Sequence, residues 1–569
     1  MDQGRPSDTS VARKLLGGSR KTLAAVAALT TDVFLLLALI VLFFGRVAIG
    51  GYVLHIVKDL AVFSLAGGLA TWAIGGAARV RATLAFRALV AVYDRVTAWY
   101  ERRPLATVGA FTAGYLALWT AIAALRYVNW RINVFDISVF YQELWNTLHG
   151  HFYFTCLMPP GPLFSDYVDP INLVFLPFVA VFRSPLVLTI GQNIIVPASA
   201  LLVWMLARQK TDSPGLQWVI PLLFLAYMPL HALLKYEYHS NAPSIPLLLG
   251  AFVCFEKRRF GWFWALAILA LACKETIWIG LAAFGVGTAL ASQEFRRHGI
   301  ALAIAGSAVG VFELMALPAI EGISSHVLDQ YPDMGATWGQ FLTTAATNPG
   351  LVCRNIFHPG LFDFLYQVIG PCWFLPAAFL PTALPLAAFV LIYSLSPGGC
   401  ELSFTDHHVG EFIPYLFYGL ICVLPRVERW MLAQWDMERR TLQRGLAIAL
   451  LATALLQYGW PESYQLRKDW RPAHPDVPLV EAAIARYVPP EAGVAGEPCM
   501  LAHVLNRRYA VDWQHFAENM AHIDYVVRHP GLCRPPWMRA TDDVDAYLRA
   551  QSFAPIYQEG QLTIYQRRR

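Results

Sequence analysis

The chain has 569 residues, 56% of them apolar and 15% charged, and a formal net charge of +5. A soluble domain carries about a quarter charged residues, so that class is excluded. The basic residues are spread along the chain rather than gathered into a patch, which excludes a nucleic-acid partner.

Apolar runs of roughly 18–25 residues recur, each long enough to cross a hydrocarbon core about 30 Å thick. The first covers 23–44. With a second apolar stretch and a basic, amphipathic helix around 81–100, it makes an N-terminal two-span module over 1–105. Residues 106–460 form the main membrane body, with runs at 106–124, 186–207, 215–234, 265–291, 300–316 and 376–395. Shorter runs at 242–255, 411–424 and 446–458 need flanking residues to span. The expected architecture is an all-α polytopic membrane protein of about ten to thirteen transmembrane helices.

Basic clusters at Arg13-Lys14, Arg20-Lys21, Arg79 to Arg103, Lys257-Arg258-Arg259, Arg296-Arg297 and Arg426 to Arg444 fall where the positive-inside rule puts cytoplasmic loops. Segments 127–170, 235–241, 319–350, 397–410 and the tail then face outward. From 461 to 569 the composition changes. Residues 476–487 read as a helix capped by Asp476, 541–550 as a second helix, and 523–527 and 562–565 as strands. This predicts a small extracytoplasmic α/β domain. The nine cysteines show no metal spacing; Cys499 and Cys533 in the tail are available for a disulfide.

Polar residues in so apolar a chain carry the functional signal. A carboxylate at the bilayer centre costs about 2.5–3.5 kcal/mol on insertion scales, so such residues mark sites. The run Asn133 to Asn146 contains Asp136, Gln142 and Glu143. Its apolar positions Ile137, Phe140, Leu144 and Leu148 have helical spacing, which predicts a helix over 136–149 lying along the outer membrane surface. Asp166 and Asp169 follow in the same loop. Lys235, Glu237 and His239 lie between two spans, Lys274-Glu275 interrupts an apolar run, and Asp406-His407-His408 with Glu411 opens a late span. Carboxylates and imidazoles bind a divalent metal or take a proton from a hydroxyl, and lysines hold phosphate. Each group also has a plain structural role. Asp136 can cap its helix, Lys274-Glu275 can be an internal ion pair, and adjacent histidines on a helix point apart.

The segment Phe135-Asp136-Ile-Ser-Val-Phe140-Tyr-Gln142-Glu143-Leu-Trp145-Asn146-Thr-Leu-His149-Gly150 resembles the opening of a bacterial and archaeal family of predicted membrane proteins. That family is a domain of unknown function grouped with the GT-C glycosyltransferases. Tyr167-Val-Asp169-Pro170, Tyr236-Glu237-Tyr238-His239, Lys274-Glu275, Ile523-Asp524-Tyr525-Val526-Val527 and Gly560 to Tyr565 follow in the family's order, over roughly 106–569. The resemblance implies a GT-C-like body in the cell membrane, a polyprenyl-phosphate sugar as donor, membrane lipid as surroundings, and an extracytoplasmic acceptor. It implies Asp136 as primary acid and Asp169 as a second. Glu237 and His239 would line the pocket, and Lys274 would face the donor phosphate. The reading of the residues themselves adds Gln142, Lys235 and Glu275 to the expected substrate-binding set and a divalent metal on Asp136, His239 and His407. Two positions depart from the family's pattern. Tyr167-Val168 stand where it carries a His, and Asn241 where it carries an acid. Two other classes fit the composition. A transporter or lipid flippase would place Lys274-Glu275 at a helix break near the midplane, and a non-catalytic scaffold would leave the acids dispersed.

Overall fold

The computed structural model describes residues 22–33, 47–49, 52–54, 83–132, 135–158, 168–321, 326–396, 402, 407–457, 472–532 and 544–568. Asn133, Asp166, Asp406, Cys533 and the second span expected in the N-terminal module lie outside them. The chain forms two compact units. One comprises Met1–Phe111, Thr211–Met228 and Glu428–Lys468; the other comprises Thr112–Lys210, Pro229–Val427 and Asp469–Arg569.

In the first unit, helices Leu84–Arg102, Pro214–Ala226 and Arg439–Gln457 pack together. Thr83 starts the first by accepting from the Phe86 N–H, and Ser213 starts the second by accepting from Leu216, with Pro214 as its first residue. Gly215 sits so close to Tyr93 that a Cβ there would lie 2.0 Å from the hydroxyl oxygen. Indole Nε1 of Trp218 donates to Thr97 at 3.0 Å. The apolar contacts and these buried bonds dominate, because the exposed Arg444–Asp94 pair contributes at most about 1 kcal/mol.

Membrane-spanning elements are clear in the helices. Among the described residues four are long and apolar enough to cross a bilayer, five if one bent pair counts as a span, and six shorter apolar helices accompany them. The 25 residues of Leu186–Lys210 rise about 37 Å at 1.5 Å each. The apolar run at 265–291 is not continuous. It divides into Phe260–Leu271 and Ile277–Ala291, with Lys274 and Glu275 in the break, where the Lys274 ammonium meets His408 and Glu411. The second half is fixed by close backbone packing on Arg296–Val311. A Cβ on Gly285 would lie 2.5 Å from the Ala303 amide nitrogen, the small-residue contact typical of membrane helices.

The C-terminal region carries a five-stranded sheet in the order Ala510–Asp512, Val494–Gly496, Tyr525–Arg528, Leu562–Arg567, Phe553–Glu559. The first three strands are parallel, with Val494 opposite both Ala510 and Tyr525. The last two form an antiparallel hairpin whose turn places Gly560 at φ +55, the left-handed conformation that glycine adopts without strain. Cys499 is disulfide-bonded. The expected cap at Asp476 is not made: it precedes helix Val477–Tyr487 but accepts no bond from that helix's first turn.

Helix Phe135–Leu148 differs from expectation. Every residue from Asp136 to Leu144 is buried, so it does not lie with one face in water. The sheet region covers it. Gln142 accepts from Thr155 Oγ1 at 2.7 Å and the Cys156 N–H at 2.8 Å, and donates to the Ala510 carbonyl at 3.3 Å. Asn146 donates to the Phe154 carbonyl at 2.8 Å. Polar residues that would otherwise need water are thus satisfied by backbone. Around them Ile137, Phe140 and Leu144 join Val511, Val526 and Ile564 in one apolar core.

The same junction contains a pH-sensitive contact. The His503 ring stacks on Trp130 at 4.5 Å and lies 4.4 Å from Tyr127. Burial lowers its pKa to about 4, so the unfolded chain binds this proton more readily than the folded one. Stability is therefore complete above about pH 6.5 and falls as pH drops from there toward 4, by a loss on the order of 2 kcal/mol. Thermal unfolding between pH 7 and pH 4.5 should show this loss, and His503→Phe should remove it.

Candidate functional site

Five separated segments meet inside the second unit: helix Phe135–Leu148, Asp169 with its following turn, residues 236–241, the break at 272–276, and the turn His407–Glu411. Phe140 joins the first to the third, its ring edge-on to His239 at 5.3 Å and to Tyr238 at 5.6 Å. Asp136 and Glu143 stand seven residues apart on this helix, so they share its face. Both are buried. Asp136 lies inside the first turn rather than at the capping position, where the helix dipole favours its negative charge.

Asp169 is fully buried, and its Oδ2 accepts from Asn172 Nδ2 at 2.8 Å. The Tyr238 hydroxyl donates to Asn172 Oδ1, so the turn and the 236–241 segment are tied together. Burial, and then the Glu143 carboxylate, push the Asp169 carboxyl well above the usual carboxylate range. Glu275 contributes a third carboxylate to this field. It is buried, and its Oε2 has no hydrogen-bond partner among the described residues.

Beside the carboxylates stands a row of rings. The His239 and His407 rings stack at 3.6 Å with 11° between planes, and His407 lies 4.1 Å from His408. Lys274 Nζ is 3.4 Å from His408 Nδ1 and 3.7 Å from Glu411 Oε1. Glu411 also accepts from Thr276 at 2.6 Å and from Tyr393. Burial, then the neighbouring His407 and Lys274, hold His239 far below the usual imidazole pKa, so it is neutral. Its Nδ1 accepts from the Asn241 N–H at 3.3 Å. The adjacent histidines do not point apart, because they lie in a 3₁₀ turn rather than an α-helix.

Glu237 is engaged in a buried ion pair with Arg126, 2.8 Å long. It holds φ +77, a conformation costly for a side chain with a Cβ and one that marks constrained positions. Arg126 also donates to the backbone carbonyls of Lys235 and Arg131. Gln192 secures the same turn, donating to the Leu233 carbonyl at 3.2 Å and accepting from the His239 N–H at 3.1 Å.

The residues expected from sequence are therefore distributed. Asp169, His239, Lys274 and Glu275 fall in the buried cluster. Gln142 has its amide engaged at both ends by the protein, and the Glu237 carboxylate is engaged by Arg126. The expected metal set of Asp136, His239 and His407 is not among the groups of described residues whose ligand atoms converge. Among the described residues, the side chains whose ligand atoms converge within 4.8 Å are His474, Asp476 and His529. Glu143, within the motif itself, joins the cluster without having been given a role there. Arg126, which follows a long apolar run, is a buried charge that the sequence did not single out. Glu313 sits in a π-helical turn within an apolar helix; an acid inside an apolar run is itself a signal.

No curated protein matches the sequence at a significant level. Solved structures similar to it include ArnT from Cupriavidus metallidurans bound to undecaprenyl phosphate, at 13% identity and TM-score 0.44, covering 81% of this chain and 98% of that one. The Archaeoglobus fulgidus oligosaccharyltransferase in complex with Zn and sulfate is similar at 12% identity and TM-score 0.37, covering 73% of this chain and 68% of that one. The model of one family, described as predicted membrane protein (DUF2079), matches residues 126–559. With that match over most of its length, and with the membrane-spanning helices it predicts, the chain belongs to the DUF2079 family of predicted membrane proteins.

Proposed function

We propose that the protein is a membrane glycosyltransferase of GT-C type, moving a sugar from a polyprenyl-phosphate donor to an acceptor on the extracytoplasmic face. The observation that carries this reading is the buried meeting of carboxylates with a histidine row and a lysine at a helix break. Buried ionisable groups in a membrane protein are expensive and mark function. Asp136 takes the proton of an acceptor hydroxyl as its oxygen bonds to the anomeric carbon. The bond from that carbon to the donor phosphate breaks, and the phosphate leaves with the electron pair. Lys274 faces that phosphate, with the donor interrupting its contact to Glu411. Asp169 keeps its proton and donates to the reacting oxygens. Helix Phe135–Leu148 walls the pocket, and the C-terminal α/β domain, on the extracytoplasmic side, holds the acceptor. No step is assigned to a divalent ion.

The test is incubation of the purified protein in lipid with a panel of radiolabelled polyprenyl-phosphate sugars. Turnover of one donor is the expected result. Absence of both turnover and binding across the panel overturns the proposal. It would favour a transporter, the reading that the broken helix at Lys274-Glu275 supports.

A further inference from the structure

We propose that His474, Asp476 and His529 form a binding site for a Zn²⁺-class divalent ion that clamps the start of the C-terminal domain to its sheet. The three ligand atoms converge within 4.8 Å of one another. Asp476 Oδ2 lies 3.0 Å from His529 Nε2 and 3.7 Å from His474 Nδ1. Ligands about 2.0–2.1 Å from a tetrahedral Zn²⁺ stand about 3.3 Å apart, and the observed separations bracket that edge. Two imidazoles and one carboxylate suit zinc and its neighbours rather than Ca²⁺ or Mg²⁺, which take oxygen ligands.

Two further observations point to a ligand. Asp476 occupies the position before helix Val477–Tyr487 where its carboxylate would ordinarily cap the first turn, yet it makes no such bond. The carboxylate is turned to the histidines instead. The His529 ring is fully buried, yet its Nε2 is aimed at this carboxylate, so a ring nitrogen removed from water is directed into the cluster, where an ion would bind it.

The location gives the ion a role. His474 and Asp476 belong to a segment held at its other end by the turn that follows helix Pro104–Val128, with Arg131 donating to the Pro472 carbonyl at 3.0 Å and Ala473 donating to Asn129 at 3.1 Å. His529 directly follows strand Tyr525–Arg528. An ion shared by the three joins that segment to the central strands. His474 also lines a cavity of about 430 Å³ together with Asn129, Trp130 and Arg131. The cavity supplies the route for the ion and room for a water as fourth ligand.

The test uses the full-length protein in detergent, stripped with a chelator and titrated with Zn²⁺. Retained metal is measured after desalting, and thermal unfolding is measured with and without zinc. Wild type should retain about one zinc per chain and unfold at a higher temperature when loaded. His474→Ala removes a half-exposed ligand, so its metal-free form should unfold at the wild-type temperature. It should bind zinc at least about tenfold more weakly, a loss that even outer-shell changes produce. Asp476→Asn should behave likewise. Equal zinc retention in wild type and both variants would place any ion elsewhere and overturn the proposal. No retained zinc and no thermal shift in wild type would overturn it too, leaving His529 and Asp476 as a hydrogen-bonded pair only.

Discussion

Asp136→Asn should lower sugar transfer by about 10²–10⁴-fold, the usual contribution of a positioned general base, while the protein stays inserted and folded. The substitution keeps the volume of a buried side chain and removes only its capacity to accept a proton. The contrast with Asp169 sharpens the expectation. Burial and then Glu143 push the Asp169 carboxyl upward, which favours its protonated, hydrogen-bond-donating form and makes it the poorer candidate for the base. Asp169→Asn preserves a hydrogen-bond donor there and should cost less than Asp136→Asn. Initial rates at saturating donor, with melting temperatures as a folding control, check both. Full activity in Asp136→Asn would remove Asp136 from the mechanism, and a deeper loss in Asp169→Asn would exchange the two roles.

The largest effect on stability should come from Arg126. Its guanidinium pairs with Glu237 at 2.8 Å with the two side chains 8% and 2% exposed, and it also holds two backbone carbonyls. Burying two ions gains little net energy, but removing one leaves the other charged without compensation. Arg126→Ala should therefore destabilise by about 3–5 kcal/mol. Glu237→Gln keeps a hydrogen-bonding group and should cost less, and Arg126→Met combined with Glu237→Met should recover part of the loss. Because Glu237 holds a left-handed backbone two residues before His239, loss of the pair should also loosen the ring stack and lower activity. Chemical unfolding in detergent, read by tryptophan fluorescence, decides it. A change below about 1 kcal/mol in Arg126→Ala, the range of an exposed pair, would mean that the pair is hydrated.

Much of this protein is written locally. The apolar runs, the helix at 477–487, the strands at 523–527 and 562–565 and the opening motif are each set by a few neighbouring residues, so the membrane class, the C-terminal α/β region and the family were legible in the sequence. The cost of a charge in lipid marked Asp136, Asp169 and Lys274-Glu275 for the same reason, since it depends on the immediate surroundings alone.

Partnership is a different matter. Whether Glu237 faces a substrate or Arg126, whether Gln142 lines a pocket or bonds to the Ala510 carbonyl, and whether Asp476 caps a helix or turns to His529 depend on residues 53 to 368 positions away. Helix Phe135–Leu148 could be placed by periodicity but not by environment, because the sheet that buries it lies more than 300 residues later. Local patterning determined which segments enter the membrane and which side chains are costly there. Only the tertiary structure decided which of those side chains meet one another, because desolvated polar groups are satisfied by whatever the fold brings within about 3 Å.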